Sequence, residues 1–69
     1  ELVSDMPKLT FVYNKRTKEV VFSSETQFEI HDVYGRMVKR GYGSEVEVDN
    51  LEKGEYYISY DNSTDSFQR

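Results

Sequence analysis

The chain has 69 residues, no cysteine and a formal net charge of −4 at pH 7. This length allows one domain, and without cysteine the core must be built from aliphatic and aromatic side chains instead of disulfides or thiolate metal sites. The acidic balance disfavours binding to a phosphate backbone, so we expect no nucleic-acid partner. The sequence has no apolar run of about 18 residues, so we expect no membrane span.

Short apolar runs with a period of two dominate the sequence. They are rich in Val, Ile, Tyr, Phe and Thr and are separated by Gly, Asn, Asp and Ser, which is typical of antiparallel strands. Residues 1–7 are predicted to be a flexible N-terminal segment, and residues 8–69 a single domain. Six strands are predicted, at 8–13, 18–23, 27–32, 36–40, 45–49 and 55–60, with a weaker seventh at 65–69. This content predicts two small sheets packed face to face in a β-sandwich.

The alternation also predicts the core. In the first two strands Val12 and Val21 interrupt the alternation, so both faces carry apolar groups and we expect both to be covered. The remaining core candidates are Phe28, Ile30, Val38, Val46, Val48, Leu51, Tyr56 and Ile58.

Three reversals of the chain are predicted from turn chemistry. Asp32 and Gly35 suit the first and last positions of a type I turn closed by a left-handed residue, which makes 27–32 and 36–40 a hairpin. Gly54 suits a left-handed exit from a tight loop that returns Leu51 to the core. The acidic segment 61–65 is interpreted as a hairpin turn, because it lacks the central glycine and the distal glutamate of a calcium loop.

The glycine-rich segment 41–43 is predicted to be a three-residue hairpin loop. This register places Val38 opposite Val46 and Lys39 opposite Glu45, so that apolar meets apolar and basic meets acidic. A two-residue loop at 42–43 would instead oppose Lys39 to Val46, and is less favourable.

No residue pattern indicates catalysis, a cofactor or a metal. His31 is the only histidine, and its neighbour Asp32 is expected on the opposite face of the strand, so a structural role is favoured. Same-face carboxylates two residues apart could bind calcium or act as an acid/base pair, but a solvated face matched to nearby basic residues is the preferred interpretation. That face comprises Glu45, Glu47 and Asp49 with Arg36, Lys39 and Arg40.

Three tyrosines are expected at the surface, namely Tyr34, Tyr42 and Tyr57. They suggest an aromatic platform for a sugar or peptide, although packing or protection of a sheet edge is the preferred interpretation.

Residues 28–60, FEIHDVYGRMVKRGYGSEVEVDNLEKGEYYISY, carry a family resemblance. An apolar strand is followed by Asp and Gly around a turn, a basic and apolar strand, a spacer, a Val/Asp strand, a Leu, a Gly-x-Tyr and a further strand. This order resembles the C-terminal sorting domain of proteins exported by the type IX secretion system. The matching positions are Phe28, Ile30, Asp32, Gly35, Arg36, Val38, Val48, Leu51, Gly54 and Tyr56.

The resemblance implies a secreted, immunoglobulin-like β-sandwich that reaches the cell surface through the periplasm and contacts protein partners such as the secretion machinery. It implies scaffold roles for Asp32, Gly35, Leu51, Gly54 and Tyr56, and possible recognition through Phe67, Gln68 and Arg69. A group of small secreted Bacteroidota sandwich proteins of unknown function is similar too. A surface adhesion or ligand-binding module that uses its tyrosines is therefore the alternative, with an enzyme as a distant third and the oligomeric state left open.

Overall fold

A computed structural model describes residues 9–69, which form five strands and no helix. The strands are β1 (Phe11–Asn14), β2 (Glu19–His31), β3 (Met37–Glu47), β4 (Glu55–Tyr60) and β5 (Ser63–Gln68). Strands account for 66% of the described residues and all pair in antiparallel fashion. The predicted all-β class is confirmed, while the segment predicted to be flexible, 1–7, lies outside the described residues.

All five strands belong to one sheet built around β2. β3 lies along one edge of β2 and pairs Val46 with Val20 near one end and Lys39 with Ile30 near the other. The opposite edge is shared, because β1 pairs with residues 19–22 and β4 pairs with residues 28–31. β5 extends the sheet beyond β4. A single 13-residue strand therefore holds three others in place.

The prediction of six or seven strands was wrong, because two pairs of predicted strands are continuous. The segments 18–23 and 27–32 merge into β2, and 36–40 and 45–49 merge into β3. Between the first pair, Ser24, Glu25 and Thr26 contain none of the Gly, Pro, Asn or Asp that would favour a reversal. Thr26 is also buried on the same face as Val20 and Phe28, so the inward alternation is kept through the junction.

β2 bends at residues 22–25 instead of turning back. Between the pairs Val21–Glu45 and Thr26–Gly43, β2 has four residues where β3 has only Ser44, so the ladder contains a bulge. Bulges increase the local bend and twist of a strand. The bend curls the sheet around a shared apolar interior.

The predicted hairpin loop at 41–43 was also wrong. These residues continue β3 and pair with residues 26–28 of β2, so Val38 does not face Val46 and Lys39 does not face Glu45. The physical reason is the length of β2, which offers hydrogen-bonding partners to both halves of β3 and removes the need for a reversal.

Gly41 has a packing role within the sheet. It lies opposite Phe28, and a Cβ added at Gly41 would be 3.1 Å from the Phe28 ring. Glycine therefore leaves room for the aromatic ring to lie over the neighbouring strand, an arrangement in which an aromatic side chain covers a glycine that cannot pack for itself.

Two of the predicted turns are present, although the turn predicted at 61–65 is shorter than expected because residues 63–65 belong to β5. Between β2 and β3 the Gly35 amide donates to the Asp32 carbonyl at 3.0 Å, and Gly35 has a φ of 84°, in the left-handed region. Between β4 and β5, Asp61 and Asn62 have φ values of 46° and 61° and form a two-residue loop. Positive φ at both central residues is the signature of a type I′ turn, whose twist matches that of the flanking strands.

The interior is dominated by residues that the alternation places on one face. The buried apolar residues are Val20, Phe22, Phe28, Ile30, Val46, Val48, Tyr56, Ile58, Tyr60 and Phe67, with Leu9, Phe11, Tyr13 and Leu51 packed partly against them. Contacts between rings join the two halves: Phe11 lies 5.5 Å from Tyr60, and Phe22 lies 5.4 Å from the same ring, between centroids.

Two core predictions were wrong. Val38 is 38% exposed, because a register shift between Ile30 and His31 leaves it without a partner residue in β2. The second apolar face of the first two strands is not covered by residues 9–69, since Val12 is 67% exposed and Val21 is 39% exposed. One curled sheet has a single interior, so only one face of each strand finds packing partners.

The contact between Gly41 and Phe28 can be tested by a double-mutant cycle. Gly41→Ala is expected to lower the free energy of unfolding by about 1–2 kcal/mol, because the added methyl group forces the ring to shift. In a Phe28→Leu background, which lacks the ring, the same substitution should cost clearly less. Urea denaturation of the four proteins measures both costs, and equal costs in the two backgrounds would contradict this packing.

Candidate functional site

Phe67, the first of the three residues proposed for recognition, is a core residue. Its side chain is 7% exposed, and its ring centroid lies 5.3 Å from that of Tyr13, 5.9 Å from that of Tyr56 and 6.4 Å from that of Phe11. Because Tyr13 and Phe11 belong to β1, Phe67 joins the last strand to the first. The side chain is therefore placed to hold the sheet closed and is not available at the surface.

Arg69 fastens the loop between β3 and β4 to the end of β5. Its Nε donates to the Val48 carbonyl and its Nη2 to the Asp49 carbonyl, both at 2.8 Å. Its backbone amide donates to the Gly54 carbonyl, also at 2.8 Å. Gly54 has a φ of 149°, which suits glycine at this point of the loop. The guanidinium therefore has a structural role, and a partner would have to displace it to contact it fully.

Gln68 is the one member of this group with a freely exposed side chain. It lies opposite Glu55 on the outer face of the sheet, next to the outer edge of β5. Among residues 9–69 that edge has no further strand paired to it. The C-terminal end thus offers one exposed amide and a row of main-chain groups to a partner.

The turn between β2 and β3 is organised by Asp32. Its Oδ1 accepts hydrogen bonds from the amides of Tyr34 and Arg36, both at 2.9 Å, and its Oδ2 accepts one from Arg36 Nε at 2.8 Å. The Arg36 guanidinium also lies over the Tyr34 ring, 5.5 Å from its centroid. The hydrogen bond from the Arg36 amide is the largest cause that lowers the pKa of Asp32 below its ordinary value of 3.8.

The other predicted scaffold residues shape the loop between β3 and β4. The Leu51 amide donates to the Val48 carbonyl at 3.1 Å, and its half-buried side chain packs on the core. The Tyr56 hydroxyl donates to the Glu52 carbonyl at 2.7 Å while its ring is buried. These contacts return the chain from the end of β3 to the start of β4.

His31 lies on the outer face of the sheet and is only partly buried. Its Nε2 is 3.9 Å from Glu29 Oε1, and its side chain is 29% exposed. The neighbouring Asp32 uses both carboxylate oxygens within its own turn, so the two side chains do not form a common site. In the described part of the chain, no three His, Asp or Glu side chains are placed to hold a metal ion.

The acidic and basic residues of β3 do not pair with one another as predicted. Arg36 binds Asp32, Arg40 lies opposite Glu29, and Lys39 Nζ donates to Asn50 Oδ1 at 3.1 Å. Glu45 and Glu47 are exposed, and Glu47 lies directly opposite Glu19 of β2. The basic half of β3 thus finds partners in neighbouring elements, whereas the acidic half adjoins another carboxylate.

A wide depression of about 1270 Å³, called the broad depression below, lies beside the turn between β4 and β5. Most of its lining is polar: it includes Gln27, Glu29, Arg40, Ser59, Asp61, Asn62 and Thr64, together with Tyr42. It is open to solvent, so groups bound there would remain hydrated. Such a surface can hold a polar ligand by hydrogen bonds and one aromatic contact, but it does not exclude water from a reacting centre.

The three tyrosines predicted at the surface are exposed, by 81% for Tyr34, 68% for Tyr42 and 41% for Tyr57. Tyr42 pairs with Gln27 and Tyr57 with His31, four residues further along β2. At the rise of a strand this separates the two side chains by about 13 Å along β2. Tyr42 alone lines the broad depression, so the three do not form one platform.

Sequence reasoning missed Tyr60, which is the polar residue most deeply set in the interior. Its ring is 4% exposed, and its hydroxyl donates to Asp65 Oδ2 at 3.0 Å. Burial is the first cause that raises the pKa of Tyr60 above its ordinary value of 10.0, and the bond to Asp65 is the second. Its spacing of two from Ile58 is the signal that could have placed it inside.

Comparisons with protein-family models, with curated proteins and with solved structures gave no match. Residues 9–69 contain no helix long and apolar enough to cross a membrane.

The turn around Asp32 makes a pH-dependent contribution to stability. Because its pKa is lower in the folded chain than in the unfolded chain, the ionised carboxylate stabilises the fold above about pH 4, and this stabilisation is lost as the pH falls through the folded-state pKa. Asp32→Asn should therefore be destabilising at pH 7, and its difference from the unmodified chain should shrink below pH 3.8.

Thermal unfolding followed by circular dichroism between pH 2 and pH 7 measures this difference. Asp49→Asn, which removes one negative charge from another exposed turn, controls for the change in net charge. A difference between Asp32→Asn and the unmodified chain that stayed constant down to pH 2 would be inconsistent with an ionised Asp32 as the organiser of the turn.

Proposed function

We propose that this chain is a non-catalytic β domain of the sorting type, which directs export and surface attachment through the type IX secretion system. The observation that carries the proposal is the order of residues in 28–60. Their positions along the chain follow the pattern of that family, and most of them, although not the exposed Val38, have a defined role in the fold. Phe28 and Ile30 pack in the core, Asp32 organises the turn, and Tyr56 fixes the return loop.

An immunoglobulin-like sandwich is part of this proposal. It is supported by the bend of β2, which brings the two halves of the curled sheet face to face around rings from β1, β2, β4 and β5. Packing of two β layers over one apolar interior is what defines a sandwich, and a continuous strand that passes from one layer to the other is a known way to join them.

Recognition by protein partners would use exposed strand edges. β3 and β5 are each paired on one side only within residues 9–69, which leaves main-chain donors and acceptors for an added strand. At the end of β5, Gln68 supplies a side chain for specificity, while Phe67 and Arg69 hold that strand in position. Recognition at the end of β5 would therefore depend on Phe67 and Arg69 indirectly, because they hold the strand that presents Gln68.

Display of a folded surface, and not catalysis, agrees best with the geometry. The broad depression is open to solvent, and His31 is absent from its lining. Asp32, the carboxylate with a lowered pKa, is committed to a turn by three hydrogen bonds. A general acid or base is expected in a concave and partly dry site, with a pKa moved toward neutrality.

The second candidate is a secreted or cell-surface module that binds a polar ligand, such as an oligosaccharide. It is favoured by one observation, the polar lining of the broad depression around Tyr42. A ring with hydroxyl, amide and carboxylate groups around it is suited to stacking against a sugar and bonding its hydroxyls. Tyr42→Ala would then abolish binding, whereas Tyr57→Ala would leave it unchanged.

Export can be tested with residues 1–69 fused to the C-terminus of a periplasmic reporter. We expect the reporter to reach the cell surface in a strain with a working type IX system and to stay in the periplasm in a strain without one. Gln68→Ala should reduce surface delivery, whereas Ser66→Ala, on the same face of β5, should not. Circular dichroism of the isolated domains verifies that both variants fold.

Retention of the folded reporter in the periplasm of the competent strain would overturn the sorting proposal. Binding of a polar ligand that depends on Tyr42, observed together with such retention, would favour the second candidate instead.

A further inference from the structure

The charges of β3 are divided between its two halves. Lys39 and Arg40 lie in the first half, and Glu45 and Glu47 lie in the second. Within residues 9–69 this strand is hydrogen-bonded to β2 along one edge only, so the main-chain groups of its other edge face solvent. Proteins usually keep their edge strands short, because a free edge is a template for pairing with another strand. The free edge of β3 is 11 residues long.

The acidic half of β3 has an unfavourable environment within the described chain. Glu47 is directly opposite Glu19 in the pairing with β2, and like charges in directly opposed positions are destabilising. The ion pairs among residues 9–69 join His31 with Glu29 and Arg36 with Asp32, so neither involves Glu45 or Glu47. A basic group that approached this half from the free edge would relieve the repulsion.

The middle of β3 is open to a second backbone. Tyr42 is the central residue of the strand and has a glycine on each side, Gly41 and Gly43. The space beside Gly41 is filled by the Phe28 ring, whereas the space beside Gly43 is largely open, and glycine within a strand often marks a place where another backbone approaches closely.

We propose that two copies of this chain associate by antiparallel pairing of their β3 edges about a twofold axis near Tyr42. Antiparallel pairing about this axis sets the basic half of each strand beside the acidic half of the other. Arg40 then lies opposite Ser44 and next to Glu45, and both Arg40 and Glu45 are on the outer face, where they pair with Glu29 and Val21 of β2. The twofold axis makes this match occur twice. Parallel pairing would instead set basic beside basic and acidic beside acidic.

A second copy fits this edge better than an unrelated strand, because β3 carries its own complement. A different antiparallel partner would need the same order of charges, basic residues followed by acidic residues, at the same spacing. Self-association through β3 is independent of the sorting proposal, since neither Gln68 nor the secretion machinery takes part in it.

The dimer should be weak and sensitive to salt. One pair of strand edges provides a small interface, and its charge pairs lie at the surface, where ions screen them. Sedimentation velocity of the 69-residue chain over a wide range of concentrations should therefore detect reversible dimers at low ionic strength and fewer dimers at high ionic strength.

Two charge variants test the arrangement. In the acidic variant, Lys39→Glu/Arg40→Glu, both halves of β3 are negative; in the basic variant, Glu45→Lys/Glu47→Lys, both are positive. Each variant alone should self-associate at least about tenfold more weakly than the unmodified chain, because like charges now face each other across the interface. A mixture of the two should form a heterodimer, since β3 of one variant is then negative in both halves and β3 of the other is positive in both halves.

Matched controls carry the same charge changes elsewhere. Lys15→Glu/Arg16→Glu changes the exposed turn between β1 and β2, and Glu52→Lys/Glu55→Lys changes the loop before β4 and the first residue of that strand. Each control changes the net charge but leaves the charges of β3 unaltered. Neither control should therefore weaken self-association as much as the β3 variants do, and a mixture of the two controls should form no more heterodimer than homodimer. Circular dichroism checks that every variant folds.

If the acidic variant does not fold, Lys39→Gln/Arg40→Gln replaces it; it should associate weakly alone and more strongly when mixed with the basic variant. A monomeric unmodified chain at all concentrations would overturn the proposal. So would a mixture of folded acidic and basic variants that remained monomeric.

Discussion

The fold depends on β2 remaining one strand across its bend. Its 13 residues give hydrogen-bonding partners to β1, β3 and β4, and its inward side chains, from Val20 to Ile30, run through the middle of the core. The bulge at residues 22–25 supplies the curvature, because extra residues on one strand of a pair force it to bend. Without that bend the ring of Phe22 would not meet Tyr60, and the sheet would have no enclosed interior.

The sequence was sufficient to predict the features set by neighbouring residues. Alternation placed Phe28, Ile30 and Ile58 in the core, and the Asp32 and Gly35 spacing located the turn after β2. It was insufficient where the outcome depends on a distant partner. Residues 41–43 have the composition of a hairpin loop, yet they remain extended because β2 is long enough to pair with them and because Phe28 covers Gly41. The proposed likeness to sorting domains rests on local order in the chain, and local order does not determine which strands form a single sheet.

The curled sheet also determines which side chains are left exposed for contact with partners. The sheet is closed by the buried Phe67 side chain and by Arg69, which donates hydrogen bonds to the loop before β4. The main role of residues 67 and 69 is therefore structural. The outer face is left with isolated aromatic residues and with a β3 edge whose charges are segregated. Both the sorting proposal and the proposed pairing of two copies assign the function of the domain to its exposed strand edges.

The most direct test of the continuous, bent β2 is the pattern of nuclear Overhauser effects between backbone protons of the isolated chain. A continuous, bent β2 requires cross-strand contacts of Val20 with Val46, of Phe28 with Gly41 and of Ile30 with Ile58. No contact is expected between Val38 and Val46. Strong effects between Val38 and Val46, with none between Phe28 and Gly41, would show that β3 turns back on itself at residues 41–43 and does not follow β2.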